Sequence, residues 1–205
     1  MRITFSDTGK RFNREWIFRN LSFDFLPGEK YAITGPNGSG KSTVLQVISG
    51  SMAHSTGQIK WQLAHKNIEE DHLFNYLTIS APYLETIEEF TAFEFLSFHS
   101  KFKMFIDDIS IDEIIYIIGL KNSAHKQIRY FSSGMKQRIK LAQAIFSDVP
   151  LLLLDEPCTN LDTAGIELYH RLIEKYAGGK TVIVSSNDVQ EYSFCKSIIN
   201  ILDYK

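Results

Sequence analysis

The chain has little cysteine, no internal repeat and no long apolar run. Cys158 and Cys195 are its two cysteines, too few for a disulfide scaffold and consistent with a reduced compartment. The apolar stretches 151–154 and 114–120, the latter containing Tyr116 and Gly119, fall short of the about 20 residues that a spanning helix needs. Residues 1–5 alternate like a strand and lack the apolar run of a signal peptide. Any membrane role therefore calls for a second chain to supply the membrane part. An excess of positive charge is also missing. With 22 Lys+Arg against 24 Asp+Glu, the net charge of −2 argues against nucleic acid as the main partner. There is no low-complexity tract and no Pro/Gly-rich linker. His54, His65, His72, His99, His125 and His170 show no metal-ligand spacing and read as surface or core residues. What remains is 205 residues, 44% apolar and 22% charged, which excludes wholesale disorder and suits one domain with a sizeable core.

The first thirty residues read as short strands, because Leu21, Phe23 and Phe25 alternate with Ser22 and Asp24 before a turn at Pro27-Gly28-Glu29. Residues 31–34 form a short buried strand that runs into a glycine-rich loop and a helix over about 41–49. Residues 57–61 and 76–80 suggest two more strands. The texture then changes over 83–130. Residues 88–102 are rich in Phe at near-helical spacing, and 111–119 form a second helical stretch. A third helix is expected over 133–146. The apolar run 151–154 fits a strand buried on both faces. Helix 163–176, strand 181–185, helix 189–195 and strand 197–202 follow. This alternation predicts a mainly parallel α/β sheet, with the 83–130 region inserted as a helical lobe.

Two motifs carry chemistry. Gly35-Pro36-Asn37-Gly38-Ser39-Gly40-Lys41-Ser42-Thr43 holds a full G-x-x-x-x-G-K-[ST] between an apolar strand and a helix. Glycines let a backbone curl until several N–H groups face one anion, and the helix N-terminus adds positive potential. Lys41 would sit on the β/γ-phosphates and Ser42 would ligate Mg²⁺. The second motif, Leu151-Leu152-Leu153-Leu154-Asp155-Glu156, puts two acids at the end of a buried strand, where ligands bind in open α/β sheets. Asp155 would hold the Mg²⁺ through water, and Glu156 would polarise an attacking water.

Between these motifs lies Phe131-Ser132-Ser133-Gly134-Met135-Lys136-Gln137-Arg138. Together the three segments resemble the ATP-binding cassette (ABC) family, whose signature is usually written L-S-G-G-Q. Ser132 and Gly134 match it; Phe131, Ser133 and Met135 are substitutions. The resemblance extends over nearly the whole chain. It implies an α/β P-loop NTPase of ABC type. That fold has a mainly parallel core over about 1–81 and 135–205, an N-terminal antiparallel β part, and a helical lobe over about 82–134. It also implies ATP and Mg²⁺ as ligands. Gly35, Asn37, Gly38, Ser39, Gly40, Lys41, Ser42 and Thr43 would form the phosphate cradle. Asp162 stands where the family's D-loop aspartate should be, and Phe12 where an aromatic often stacks on adenine, with Trp16 a rival.

Residues 133–134 begin a helix, so their N–H groups and dipole suit a γ-phosphate. The resemblance implies that this phosphate sits on the opposite protomer. Ser132, Ser133, Gly134 and Asp162 would then complete a partner's site in a head-to-tail dimer of this chain, or of this chain with a related ATPase. It further implies a separate transmembrane permease, a cytoplasmic location on the inner face of the membrane, and no nucleic-acid partner. The Phe-rich lobe (Phe90, Phe93, Phe95, Phe98, Phe102, Phe105) would offer the docking wall, or simply its own core.

The chain departs from the family twice. A Gln normally enters the lobe, and here Pro82 or Tyr83 takes its place. A His normally follows the strand after the D-loop helix, and here Asn187 does. Asn donates a hydrogen bond to a phosphate but carries no positive charge. Hydrolysis is therefore expected to lean on Glu156, with Lys41 and Asn187 assisting. The expected function is an ATPase subunit of a transporter. The alternatives are an ABC ATPase without a membrane partner and a nucleotide-gated clamp with little hydrolysis.

Overall fold

The computed structural model describes residues 1–107 and 109–205. Its elements begin with β1 (Arg2–Phe12), β2 (Glu15–Phe25), β3 (Lys30–Thr34), α1 (Lys41–Ile48), β4 (Thr56–Leu63), β5 (Lys66–Ile68) and β6 (Leu77–Ser80). Then follow α2 (Ala92–Ser100), α3 (Ile111–Ile117), α4 (Ser133–Phe146), β7 (Leu151–Asp155), α5 (Thr163–Tyr176), β8 (Thr181–Ser185), α6 (Val189–Tyr192) and β9 (Ser197–Asn200). These elements fall into two compact units. The first is Met1–Leu77, Val149–Glu156 and Gly179–Lys205; the second is Thr78–Asp148 with Pro157–Gly178.

The first unit holds two kinds of sheet. β2, β1, β4 and β5 pair in that order, all antiparallel. Buried residues alternate over parts of these strands, as at Ile3 and Phe5, and the alternation breaks where the register shifts. Phe5, Leu21 and Phe25 are buried, and Phe25 meets Tyr31 edge to face with ring centroids 5.0 Å apart. β7, β8, β3 and β9 pair in parallel in that order. Every residue of β7 and β8 is buried, which fits their apolar runs 151–154 and 182–184. Each buried leucine of β7 contributes about 2 kcal/mol of transfer free energy. The register sets the site: Asp155 is level with Ser185, and Ser185 with Ile33, so β7, β8 and β3 end together.

The second unit is helical. α2 and α3 each start with a capping box, Thr91 with Glu94 and Ser110 with Glu113. α4 starts at Ser133, with Ser132 as its N-cap, and packs against α2, α3 and α5. No helix among the described residues is long and apolar enough to cross a membrane.

Several boundaries differ from the sequence expectation. The first two strands are long, 11 residues each, because they pair with one another over a hairpin and absorb irregular register. The Phe-rich helix spans Ala92–Ser100 rather than 88–102, because the Thr91 cap fixes its start. The helix at 189 stops at Tyr192, and the last strand stops at Asn200, where a short 3₁₀ turn begins.

Candidate functional site

β3 delivers the chain into the loop 35–40, and α1 carries it away with Gly40 as N-cap. Gly40 has φ +102°, and a Cβ there would collide with Cγ2 of Ile17 on β2. Glycine is therefore required both by conformation and by the close approach of the hairpin. Gly35 is crowded in the same way, with Ile201 Cγ2 2.7 Å from where its Cβ would lie. Lys41 is buried, and its Nζ donates to Gly35 O (2.9 Å) and Pro36 O (3.2 Å). A buried ammonium needs acceptors, and here the loop's own carbonyls provide them.

Asp155 and Glu156 follow at the end of β7. Asp155 is 2% exposed, and its Oδ1 has no hydrogen-bond partner among the described residues. Glu156 has φ +43°, a left-handed conformation uncommon outside glycine, and its N–H donates to Ser185 O (2.9 Å). Asn187 lies just past β8, and its Nδ2 donates to Asn37 Oδ1 in the phosphate loop at 3.2 Å. The structure thus brings Gly35, Asn37, Gly38, Ser39, Gly40, Lys41, Ser42, Thr43, Asp155, Glu156 and Asn187 to one edge of the first unit. Phe12 stands at the hairpin tip, 46% exposed, with Lys10 Nζ 5.0 Å from its ring centroid. Trp16 is half-buried, with the Arg11 guanidinium 5.5 Å from its ring centroid. Phe12 therefore presents the freer ring.

Ser132, Ser133, Gly134 and Asp162 belong to the second unit. Ser132 Oγ accepts from Met135 N–H (3.3 Å). A Cβ on Gly134 would lie 3.1 Å from Asn160 O, so the signature and the 160 loop touch. Asp162 Oδ1 caps α5 through Gly165 N–H (2.8 Å) and pairs with Arg138 Nη2 (3.5 Å). Pro82 and Tyr83 are both exposed.

The second unit also holds an apolar groove of about 300 Å³, walled by Leu84, Ile87, Phe95, Phe98 and Phe102. Phe95 is buried, whereas Phe98 and Phe102 are exposed, so the Phe-rich stretch serves as both core and surface. Three nearby acids are engaged: Glu88 pairs with Lys136, Glu89 with Arg129 at 3.6 Å, and Glu94 with the Thr91 cap. Among the described residues no group of three metal-ligating side chains gathers, so the histidines build no cluster.

Two participants escaped the sequence reading. Ser185 Oγ is buried beside Asp155 in the register, with no hydrogen-bond partner among the described residues. Lys205 Nζ donates to Ser39 O and Ile17 O, both at 2.8 Å, and so braces the loop against β2. A serine ending an apolar strand was a visible signal for Ser185. Nothing in the sequence signals Lys205, because its contacts span more than 160 positions.

Comparison with known proteins gives a consistent answer. Residues 18–159 match the family model described as ABC transporter. An uncharacterized ABC transporter ATP-binding protein of Bacillus subtilis, YybJ, is 32% identical over 185 residues, covering 89% of this chain and 84% of that protein. The lantibiotic transport ATP-binding protein SrtF of Streptococcus pyogenes is 27% identical over 199 residues, covering 94% of this chain and 83% of that protein. A putative ABC transporter ATP-binding protein from Pyrococcus furiosus superposes with a TM-score of 0.83 over all of both chains, at 18% identity. The chain belongs to the ABC transporter family, as an ATP-binding subunit with the P-loop ABC fold.

Proposed function

We infer that the chain hydrolyses ATP to power a membrane transporter, working as a head-to-tail dimer with two ATPs at the interface. The carrying observation is the buried, unpartnered Oδ1 of Asp155, at a strand end level with a phosphate loop whose buried Lys41 rests on loop carbonyls. An unpaired buried carboxylate oxygen is costly, and a hard cation relieves that cost. Ser42 and Asp155 fit Mg²⁺ by donor chemistry, and the ion when bound neutralises charge on the transferring phosphoryl group.

The chain's own residues do the rest. Lys41 exchanges the Gly35 and Pro36 carbonyls for β/γ-phosphate oxygens. Gly35, Asn37, Gly38, Ser39, Gly40 and Thr43 cradle the phosphates, and Phe12 stacks on the base. Glu156 accepts a proton from the water that attacks the γ-phosphorus. The bond to the β–γ bridging oxygen breaks, leaving ADP and phosphate. Asn187, now on Asn37, turns its amide toward the γ-phosphate. Ser132, Ser133, Gly134 and Asp162 complete the partner's site, since the start of α4 offers N–H groups and a positive dipole end.

Residues 1–205 act as one ATPase domain whose lobe, over about 82–134, meets a separate permease. The exposed Phe98 and Phe102 beside the apolar groove support such a docking face. The working location is then the cytoplasmic face of the membrane. The test is sedimentation of Glu156→Gln with and without Mg-ATP. We expect a shift from monomer to dimer that depends on Mg-ATP and vanishes in Lys41→Ala. A Glu156→Gln protein that binds Mg-ATP and stays monomeric contradicts the dimer.

A further inference from the structure

A lysine side chain ties the turn that enters the helical lobe to α4. Leu84 N–H donates to Ala81 O at 3.2 Å, closing the turn 81–84. Lys140 Nζ then donates to both of its end carbonyls, Ala81 O at 3.2 Å and Leu84 O at 3.3 Å. Partial burial lowers the pKa of Lys140, whose ammonium meets these two carbonyls. Lys140 lies on α4, seven residues past Ser133, about 10 Å along the axis.

The other walls of the groove are tied to the same helix. Thr78 Oγ1 on β6 donates to Ala144 O at 2.9 Å. His99 on α2 lies 2.9 Å from Gln143 Nε2 and 2.8 Å from Ser147 Oγ. The strand and helix ties end on the last turns of α4 and at its C-cap, whereas the Lys140 tie sits closer to the signature, with the Glu88–Lys136 pair closer still on the first turn. Leu84 and Glu85, at the end of the turn and just after it, line the groove together with Lys140 itself.

We propose that Lys140 is a positioning residue that couples the groove to the signature: it fixes the turn 81–84 to α4, so that displacement of the groove wall moves the start of that helix. The role rests on the reading of residues 132–134 as nucleotide-facing. It gives this chain a link from lobe entrance to signature that runs through a lysine and two carbonyls, where Pro82 and Tyr83 carry no amide side chain to reach elsewhere.

Amide hydrogen exchange on the full chain, without nucleotide, tests the link in wild type, Lys140→Met and Lys140→Arg. Methionine keeps the apolar stem and loses the donor; arginine keeps a donor. In Lys140→Met we expect exchange at 83–86 to rise about tenfold and at 133–136 about threefold, with Lys140→Arg close to wild type. Amides of β7 serve as the internal reference and should not move, which separates loss of the link from general loosening. Unchanged exchange at 83–86 would overturn the proposal. So would a rise there that leaves 133–136 at the wild-type rate, because the tie would then be a local turn cap. A rise shared equally by β7 would overturn it too. Mg-ATP turnover of the wild type is measured alongside; absent turnover would count against the proposed function without changing what the exchange rates say about Lys140.

Discussion

His99 illustrates how one residue's surroundings set its proton. Ser147 Oγ donates to Gln143 O at 2.7 Å, so toward His99 it acts as acceptor of a hydrogen bond from Nε2–H. Gln143 Nε2 donates to Nδ1, which must therefore be bare. The ring is neutral with both nitrogens used. Burial first, and the charge of Lys103 second, push its pKa down from the usual value to about 4. A depressed pKa in a base means the unfolded chain binds the extra proton first as the pH falls. The stability linked to His99 is thus fully present above about pH 6.5 and is lost progressively toward pH 4. The melting temperature of the wild type should fall more between pH 7 and pH 5 than that of His99→Gln. Equal falls would show that the ring is not held neutral by its partners.

At the scale of elements, boundaries follow caps and pairing more than composition. α2 is nine residues long and rich in Phe, with an apolar face that is only half covered. Its start depends on Thr91, whose Oγ1 accepts from Glu94 N–H while Glu94 returns to Thr91 N–H. Thr91→Ala should cost about 1 kcal/mol, read as a lower urea midpoint with unchanged slope. An unchanged midpoint would mean that packing alone sets the helix start. The cap also explains what could be read in advance. α4, β7, α5 and β8 were legible because their apolar periods are regular and their ends are marked, α5 by Asp162 and β7 by Asp155 and Pro157. The 88–102 stretch was legible as helix but not in its bounds, because a run of Phe continues past the cap that fixes the start. The long hairpin of β1 and β2 was hidden for a related reason: its pairing passes through register shifts that break strict alternation.

At the scale of the whole molecule, the contiguous parts of the candidate site were legible and the assembled parts were not. The phosphate loop and the Asp155-Glu156 pair announce themselves because backbone curl and strand end are local properties. The Asn37–Asn187 contact and the Lys205 brace need the fold, since each joins segments at least 150 positions apart. Family membership makes the chain an ATP-binding subunit. On the sequence resemblance, Asn187 is expected to stand where the family normally has a His, and Pro82 or Tyr83 where it normally has a Gln. If Glu156 carries catalysis, these changes slow turnover without abolishing it. The clamp alternative instead requires binding with no turnover.

Phosphate release from Mg-ATP separates hydrolysis from clamping most directly, measured across a range of protein concentrations for wild type, Lys41→Ala and Glu156→Gln. A hydrolysing dimer centred on Glu156 predicts a rate that rises with the square of protein concentration where dimers are scarce, and that falls at least about a hundredfold in both variants. Turnover in Glu156→Gln equal to wild type would contradict the catalytic assignment. Wild-type protein that binds ATP and releases no phosphate, alone or with its permease, would contradict hydrolysis itself.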